Sequence, residues 1–212
     1  MENNQVFLTK IRNKVASLEF LELREALKEA YNAGITGYEM IKYGILEGIK
    51  CSGDIGLMIA AEALSKELPQ LTKRDTKQNK NNIQNSSQKV VIGTVQGDIH
   101  DFGKNILIAL LESSGIDIED LGVDVPPERF LSRAEFPEVK VIAISSLLSI
   151  TADNIKQTID LLDKSGFRNK IKIIIGGSGT SQKLAKEVKA DAYAKDAVKG
   201  LDVIKKWVSP HE

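Results

Sequence analysis

The spacing of apolar residues divides this chain into two parts with different periodicities. Between residues 5 and 71, apolar side chains recur every three or four positions, which is typical of amphipathic helices. The sequence contains four such stripes, which begin near Val6, Leu21, Met40 and Ile55. Four amphipathic helices with short connections form a small bundle, so we expect an N-terminal four-helix bundle.

Local signals predict where these helices begin and end. Gly34 closes the second helix, since glycine is common just after a helix. Thr36 and Glu39 form a capping box that begins the third helix. Ser52-Gly53 ends the third helix, and the fourth is expected to end near Pro69 because proline has no backbone donor.

From residue 89 onward, runs of β-branched apolar residues alternate with amphipathic segments. The runs predict strands at 90–95, 117–123, 139–145, 172–175 and 192–194, and the other segments predict helices at 104–114, 127–136, 152–165, 181–189 and 197–207. Strands that are apolar throughout and separated by helices form a parallel sheet covered on both faces. The predicted fold class is therefore α/β, with a doubly wound, flavodoxin-like five-stranded parallel sheet after the helical bundle.

A polar segment separates the two parts. Residues 73–88 are nearly devoid of apolar side chains and cannot support a hydrophobic core. We therefore predict a helical domain at 1–75, a linker at 76–88 and an α/β domain at 89–212. A linker of this kind lets the domains meet within one molecule or exchange between two, so a homodimer remains open.

Charge and composition exclude several classes of protein. Lys and Arg together number 29, as do Asp and Glu, so no cationic field is available for a nucleic-acid partner. No apolar run approaches the length of about 18 residues that a membrane span needs. The N-terminus lacks the pattern of a signal peptide, and the single cysteine, Cys51, suits a reducing compartment, so a cytoplasmic protein is predicted.

The candidate chemistry lies in the turn between the first strand and the helix that follows it. The segment Gly93–Asn105 reads GTVQGDIHDFGKN and contains His100, with Asp98 two residues before it and Gly103 three after it. Open α/β sheets bind ligands at the carboxyl ends of their strands. A carboxylate beside a histidine can accept a hydrogen bond from one ring nitrogen and leave the other free for a metal.

Two further motifs follow the histidine turn. After Gly103 come 41 residues and then Ser145-Ser146-Leu147, and 28 more residues separate Leu147 from Gly176-Gly177. Because the βα turns of a parallel sheet lie at one edge, the three motifs are expected to converge there. The set closely resembles the cobalamin-binding signature, Asp-x-His-x-x-Gly, Ser-x-Leu and Gly-Gly, of methionine synthase and of the corrinoid proteins of methyltransferase systems.

This resemblance implies a cobalamin cofactor whose own base is detached from cobalt and replaced by a histidine. Carried over to this chain, His100 is the lower axial ligand of cobalt, Asp98 holds its other ring nitrogen, and Thr151 supplies a hydroxyl to the same hydrogen-bonded chain. A released imidazole is more basic and a neighbouring carboxylate favours its protonation. Asp98 and Thr151 would therefore couple proton uptake to loss of the lower ligand.

The resemblance also implies a pocket for the nucleotide tail of the cofactor. Ser145 would hydrogen-bond to the detached base, Leu147 would pack beside it, and Ser149 would lie at the pocket wall. Glycines would let the tail approach bare backbone. Besides Asp98 and His100, the implied cofactor-binding residues are Asp101, Gly103, Ser145, Leu147, Ser149, Gly176 and Gly177.

A function and a set of partners follow from the same resemblance. The chain would be a methyl carrier that serves a donor-specific methyltransferase and an acceptor methyltransferase using coenzyme M or tetrahydrofolate. A reductive activating protein is implied because reduced cobalt is easily oxidised. The chain shows neither a barrel nor a zinc-ligand cluster that could activate a methyl donor, so it is expected to be a component of an enzyme system.

The helical part is similar to the cap that lies over the upper face of the corrin in this family. The family has a longer segment after the third helix, which includes a phenylalanine over cobalt. Here only Asp54-Ile-Gly56 separates Gly53 from Leu57. Shielding would fall to Ile55, Leu57 or Met58, or the upper face would be open.

Three other functions are weighed against the methyl carrier. A cobalamin-binding mutase subunit carries the same histidine motif but normally lacks a helical cap. A corrinoid-sensing regulator would need a helix-turn-helix and a basic face, and neither stands out. A nucleotide- or flavin-binding module could use Gly177–Thr180 for a phosphate, but Gly103-Lys104-Asn105 lacks the Ser or Thr of a P-loop and no Gly-x-Gly-x-x-Gly follows the first strand.

Overall fold

We describe the fold from a computed structural model, which covers residues 2–80 and 88–208. The chain divides into two compact units, one built on the N-terminal helices and one containing the sheet. The predicted domain bounds stay predictions, and most of the predicted linker, residues 81–87, lies outside the described residues. No helix within the described ranges has the length and hydropathy to cross a membrane.

The N-terminal unit contains the four predicted helical segments. Thr36 caps the third through a reciprocal pair of bonds with Glu39, which confirms the predicted capping box. Glu67 is buried in this unit, and its carboxylate is paired with Arg24 at 2.6 Å. The elements are α1 (Glu2–Ala16), α2 (Phe20–Asn32), α3 (Gly37–Glu39), a π-helix (Met40–Ile45) and α4 (Leu46–Lys80).

The fourth segment differs from its predicted end. Helix α4 bends at Gly53, where φ is 60° and ψ is −144°, so the third and fourth segments are joined without a loop. The expectation of an end near Pro69 is wrong, because the backbone continues as a helix to Lys80. A proline removes one helical hydrogen bond, and the Lys, Gln and Arg residues that follow have favourable helix propensities.

The sheet unit confirms the predicted fold class. Its five strands are all parallel in the order β2-β1-β3-β4-β5, which is the flavodoxin-like order. The strands are β1 (Lys89–Thr94), β2 (Asp117–Asp120), β3 (Val139–Ser145), β4 (Lys172–Gly176) and β5 (Ala192–Ala194). The helices are α5 (Phe102–Ser113), α6 (Pro127–Ala134), α7 (Ala152–Lys164), α8 (Gln182–Glu187) and α9 (Ala197–Val208).

The central strands are buried on both faces, as their continuous apolar sequences predict. One face packs Val91, Ile142 and Ile173 against Phe130 of α6 and Ile155 of α7. On the other face, alternate residues of the same strands are also buried; they include Val90, Ile92, Val141 and Ile174. The strands therefore end together at one carboxyl edge, where their turns carry the polar motifs.

Candidate functional site

The register of the sheet brings the three predicted motifs to one edge. Thr94 at the end of β1 pairs with Ser145 at the end of β3, and Ser145 pairs with Gly176 at the end of β4. The turns that follow these strands therefore begin side by side. The convergence expected from the sequence is present in the structure.

His100 lies in the turn between β1 and α5, and its side chain is partly exposed. Its Nδ1 is 2.7 Å from Oδ1 of Asp98, and its backbone amide donates to the same oxygen at 3.0 Å. The side chain of Asp98 is fully buried. With the proton on Nδ1 directed at the carboxylate, the lone pair of Nε2 is available to a metal.

A second set of donors holds the other oxygen of Asp98. The backbone amides of Leu147 and Leu148 donate to Oδ2 at 2.6 and 3.1 Å. Burial by itself raises the pKa of Asp98, but the hydrogen bonds from His100, Leu147 and Leu148 outweigh burial, so this pKa lies below its ordinary value. The Asp98 carboxylate is therefore ionised at neutral pH.

Thr151 joins this network through a residue that the sequence analysis did not single out. The hydroxyls of Thr151 and Ser146 are 2.7 Å apart, and Ser146 Oγ lies 3.4 Å from Oδ2 of Asp98. Both hydroxyls also lie within hydrogen-bond distance of the carbonyl of Leu148. Ser146 thus stands between Thr151 and the carboxylate, and its position inside the Ser-x-Leu motif was the signal available in the sequence.

The motif glycines occupy different environments. At Gly103, no described atom outside its local chain lies within 4 Å of where a Cβ would stand. At Gly177, where φ is 102°, a Cβ would lie 2.2 Å from the carbonyl oxygen of Ser146. At Gly176 it would lie 3.1 Å from the carbonyl oxygen of Ala194. Gly103 borders open space, whereas the bare backbone of Gly177 is required by a neighbouring strand end.

The remaining predicted residues lie around the same edge. Ser145 ends β3 and is half-buried, while Ser149 is exposed at the start of a short 3₁₀-helix, Ser149–Thr151. Asp101 precedes α5, and its carboxylate accepts a hydrogen bond from the side chain of Asn105 at 3.0 Å. In the helical unit, Ile55 and Met58 are exposed and Leu57 is half-buried, and their shielding role stays a prediction.

Exposed apolar side chains flank the histidine turn, although sequence analysis did not identify two of them. Ile99 is 73% exposed, Ile150 is 83% exposed and Leu147 is 39% exposed. Ile99 precedes His100 in the chain, and the amide of Leu147 binds the Asp98 carboxylate. Exposed apolar side chains at this edge of the sheet suit a ligand that is partly apolar.

Comparison with known proteins identifies the family. A model of the B12 binding domain matches residues 88–202, just over half of the chain. The chain belongs to the B12-binding family. The trimethylamine corrinoid protein 1 of Methanosarcina acetivorans is 30% identical over 219 residues, which cover 97% of this chain and 97% of that protein. The dimethylamine corrinoid protein of Methanosarcina barkeri is 38% identical over 112 residues, 53% of each chain.

A solved structure extends the match to the fold. The monomethylamine corrinoid protein of Methanosarcina barkeri has a TM-score of 0.77 and 28% identity, with 96% of this chain and 99% of that chain covered. The resemblance predicted from the three motifs is therefore confirmed, and so is the predicted cofactor, since this B12-binding chain takes cobalamin. The local geometry fits that group, because His100 offers a nitrogen ligand and Gly103 borders open space.

Proposed function

We propose that this chain is the methyl-carrying corrinoid component of a methyltransferase system, with cobalamin bound base-off and His100 as the lower axial ligand of cobalt. The observation that carries the proposal is the Asp98–His100 pair, in which a buried carboxylate 2.7 Å from Nδ1 leaves Nε2 free. Cobalamin supplies the methyl-transfer chemistry when it is bound. The protein holds His100 in place as the cobalt ligand, directs the proton of its imidazole to Nδ1, and positions the cofactor.

Asp98 and its donors have a defined part in this proposal. The carboxylate orients the imidazole and keeps the Nδ1 proton, so that Nε2 presents its lone pair. If His100 were released from the metal, the ionised carboxylate of Asp98 would stabilise a positive charge on its ring. The hydroxyls of Ser146 and Thr151 lie at hydrogen-bond distance from one another, next to Asp98. This arrangement supports a hydroxyl pair that reorients when the charge on the Asp98–His100 pair changes.

The partners and the methyl donor are part of the same proposal. Relatives over almost the whole chain are named for trimethylamine, and the structural neighbour is named for monomethylamine. We therefore propose a methylamine-specific methyltransferase as donor and a separate acceptor methyltransferase, using coenzyme M or tetrahydrofolate. A reductive activating protein would return oxidised cobalt to its reduced state. We further propose that this chain acts in the cytoplasm.

Replacement of the histidine tests the axial-ligand assignment. The chain has two histidines, so His211→Ala is a matched control for His100→Ala. Both variants and the wild type are produced with 15N-labelled histidine, loaded with cobalamin and reduced to cobalt(II), so that EPR splitting by the protein imidazole is distinguished from splitting by the cofactor's own benzimidazole nitrogen. We expect His100→Ala to lose the splitting from the protein imidazole and His211→Ala to keep it. Unchanged splitting in His100→Ala would refute the assignment.

The methyl-carrier role is tested with donor enzymes. The reduced, cobalamin-loaded chain is mixed with a monomethylamine, dimethylamine or trimethylamine methyltransferase and the matching amine, and methylation is followed in the visible spectrum. We expect methylation with at least one of these enzymes. A methanol-specific methyltransferase with methanol is the control. Methylation only by the methanol-specific enzyme, or by none of the four enzymes, would contradict the proposed donor class.

A further inference from the structure

The turn that carries His100 is held by groups from outside the turn. The carbonyl of Gln96 accepts a hydrogen bond from the side chain of Asn154 at 2.8 Å. The carbonyl of His100 accepts one from the hydroxyl of Thr94 at 3.0 Å. These bonds fix the two ends of a five-residue turn, and the middle of that turn is fixed by another residue.

Asp124 binds the middle of the turn at two points. Its carboxylate oxygen Oδ1 accepts a hydrogen bond from the amide of Gly97 at 2.7 Å. Its own amide donates to the carbonyl of Asp98 at 2.9 Å. Asp124 is therefore hydrogen-bonded to the main chain on both sides of the peptide bond between Gly97 and Asp98. The backbone amides of Leu147 and Leu148 hold the side chain of Asp98.

The conformation of Asp124 is unusual for a residue with a side chain. Its φ is 52°, in the left-handed region that aspartate and asparagine tolerate better than most other residues. A residue in that region costs free energy and persists where surrounding contacts determine it. The side chain is exposed, so burial does not account for it, whereas the two hydrogen bonds to the turn do.

Backbone contacts hold the two loops together independently of this carboxylate. Val95 and Val125 form an isolated parallel bridge, and the amide of Val125 donates to the carbonyl of Thr94 at 3.0 Å. Removing the carboxylate of Asp124 would leave that framework in place. The effect of removing this carboxylate on the position of the turn can therefore be measured in a folded protein.

We propose that Asp124 is a positioning residue for His100, because it fixes the main chain of the turn that aims the imidazole. The inference rests on the proposed role of His100 as cobalt ligand and goes beyond the motifs that the family resemblance uses. A ligand that must meet a metal at a set distance is sensitive to displacements well below 1 Å, so a loosened turn lowers the fraction of bound histidine.

Substitutions of Asp124 separate its two contributions. Asp124→Gly keeps the positive φ and removes the acceptor, whereas Asp124→Asn keeps an oxygen acceptor and tolerates the same φ. In full-length protein loaded with cobalamin and reduced to cobalt(II), we expect the ratio of histidine-bound to histidine-free cobalt to fall about tenfold in Asp124→Gly, the order of effect expected from the loss of one hydrogen bond. Asp124→Asn should stay close to the wild type.

A second readout uses the protein without cofactor. The ring signals of His100 in the NMR spectrum, assigned by comparison with His100→Ala, should shift or broaden in Asp124→Gly and match the wild type in Asp124→Asn. Lys189→Gly is the control, since Lys189 also has a positive φ but lies away from the turn. If Asp124→Gly does not fold, Asp124→Glu, which moves the acceptor by one methylene, should still differ from the wild type in both readouts.

The outcomes distinguish this inference from the proposed function. Wild-type nitrogen splitting in Asp124→Gly, or in Asp124→Glu where Asp124→Gly does not fold, together with unchanged His100 ring signals, would overturn the positioning role. Absence of nitrogen splitting in the wild type would instead refute His100 as the cobalt ligand. The ring signals of the cofactor-free protein would still decide whether Asp124 holds the turn.

Discussion

At the scale of single residues, the structure separates glycines that the motif groups together. Gly103 borders open space, as expected for a residue that lets a ligand approach. Gly177 has a different physical reason, because the carbonyl of Ser146 occupies the space that its side chain would need. That carbonyl belongs to the segment whose amides hold Asp98, so Gly177 also supports the histidine pair from behind.

Alanine substitutions at these two glycines should differ in their effects on stability and on cobalamin binding. We expect Gly177→Ala to lower the free energy of unfolding by about 2–5 kcal/mol, because a Cβ would overlap backbone and φ is 102°. Gly103→Ala should leave stability unchanged or slightly higher, since it lies in a helix with free space. Denaturant unfolding of the cofactor-free protein measures both changes, and cobalamin titration measures binding.

Cobalamin affinity completes the comparison. If the tail passes Gly103, Gly103→Ala should weaken cobalamin binding while the apoprotein remains stable. Equal affinity of Gly103→Ala and the wild type would place the tail elsewhere. A Gly177→Ala protein as stable as the wild type would mean that the Ser146 backbone can move aside at little cost.

At the scale of elements, the helical unit depends on glycines for close packing. Helix α4 and the π-helix before it cross α1 at Gly44 and Gly48. A Cβ at Gly48 would lie 2.5 Å from Cβ of Val15 and 2.7 Å from the carbonyl oxygen of Arg12. Side chains at these positions would separate the two helices, so the crossing depends on small residues rather than on apolar burial alone.

Gly48→Ala tests which of two effects is larger. Alanine improves helix propensity by about 1 kcal/mol, whereas overpacking against backbone costs about 1–3 kcal/mol. Because the nearest atoms include the backbone of α1, we expect a net loss of stability of the order of 1–2 kcal/mol. Hydrogen exchange of α1 amides should rise. Gly103→Ala, which changes a helical glycine in open space, is the control. Protection of α1 amides in Gly48→Ala equal to that in the wild type would show that the helix crossing tolerates a side chain at this position.

At the scale of the whole molecule, function follows from sheet topology more than from surface charge. Acidic and basic residues balance over the chain, so no net field selects a ligand. The parallel order of five strands places each βα turn at the same edge, and β1, β3 and β4 contribute the turns with the motifs. A chain of this length thereby concentrates its polar chemistry on one side of a rigid apolar layer.

Much of this arrangement could be predicted from the sequence because its signals are local or periodic. The alternation of apolar strands and amphipathic helices determined the α/β class and the strand order expected for it. His100 and Asp98 are two residues apart, so their hydrogen bond forms within one turn. The spacing of the Ser-x-Leu and Gly-Gly motifs added the likeness to cobalamin proteins.

Tertiary structure alone decided which groups hold the site. Ser146 lies between Thr151 and Asp98, and no periodic pattern marks that position. The bond from Gly97 to Asp124 joins residues 27 positions apart, and the bond from Asn154 to Gln96 spans 58 positions. Contacts of this kind arise only when separate loops meet at the sheet edge, so the sequence determined the ligand motif and the fold determined how firmly it is held.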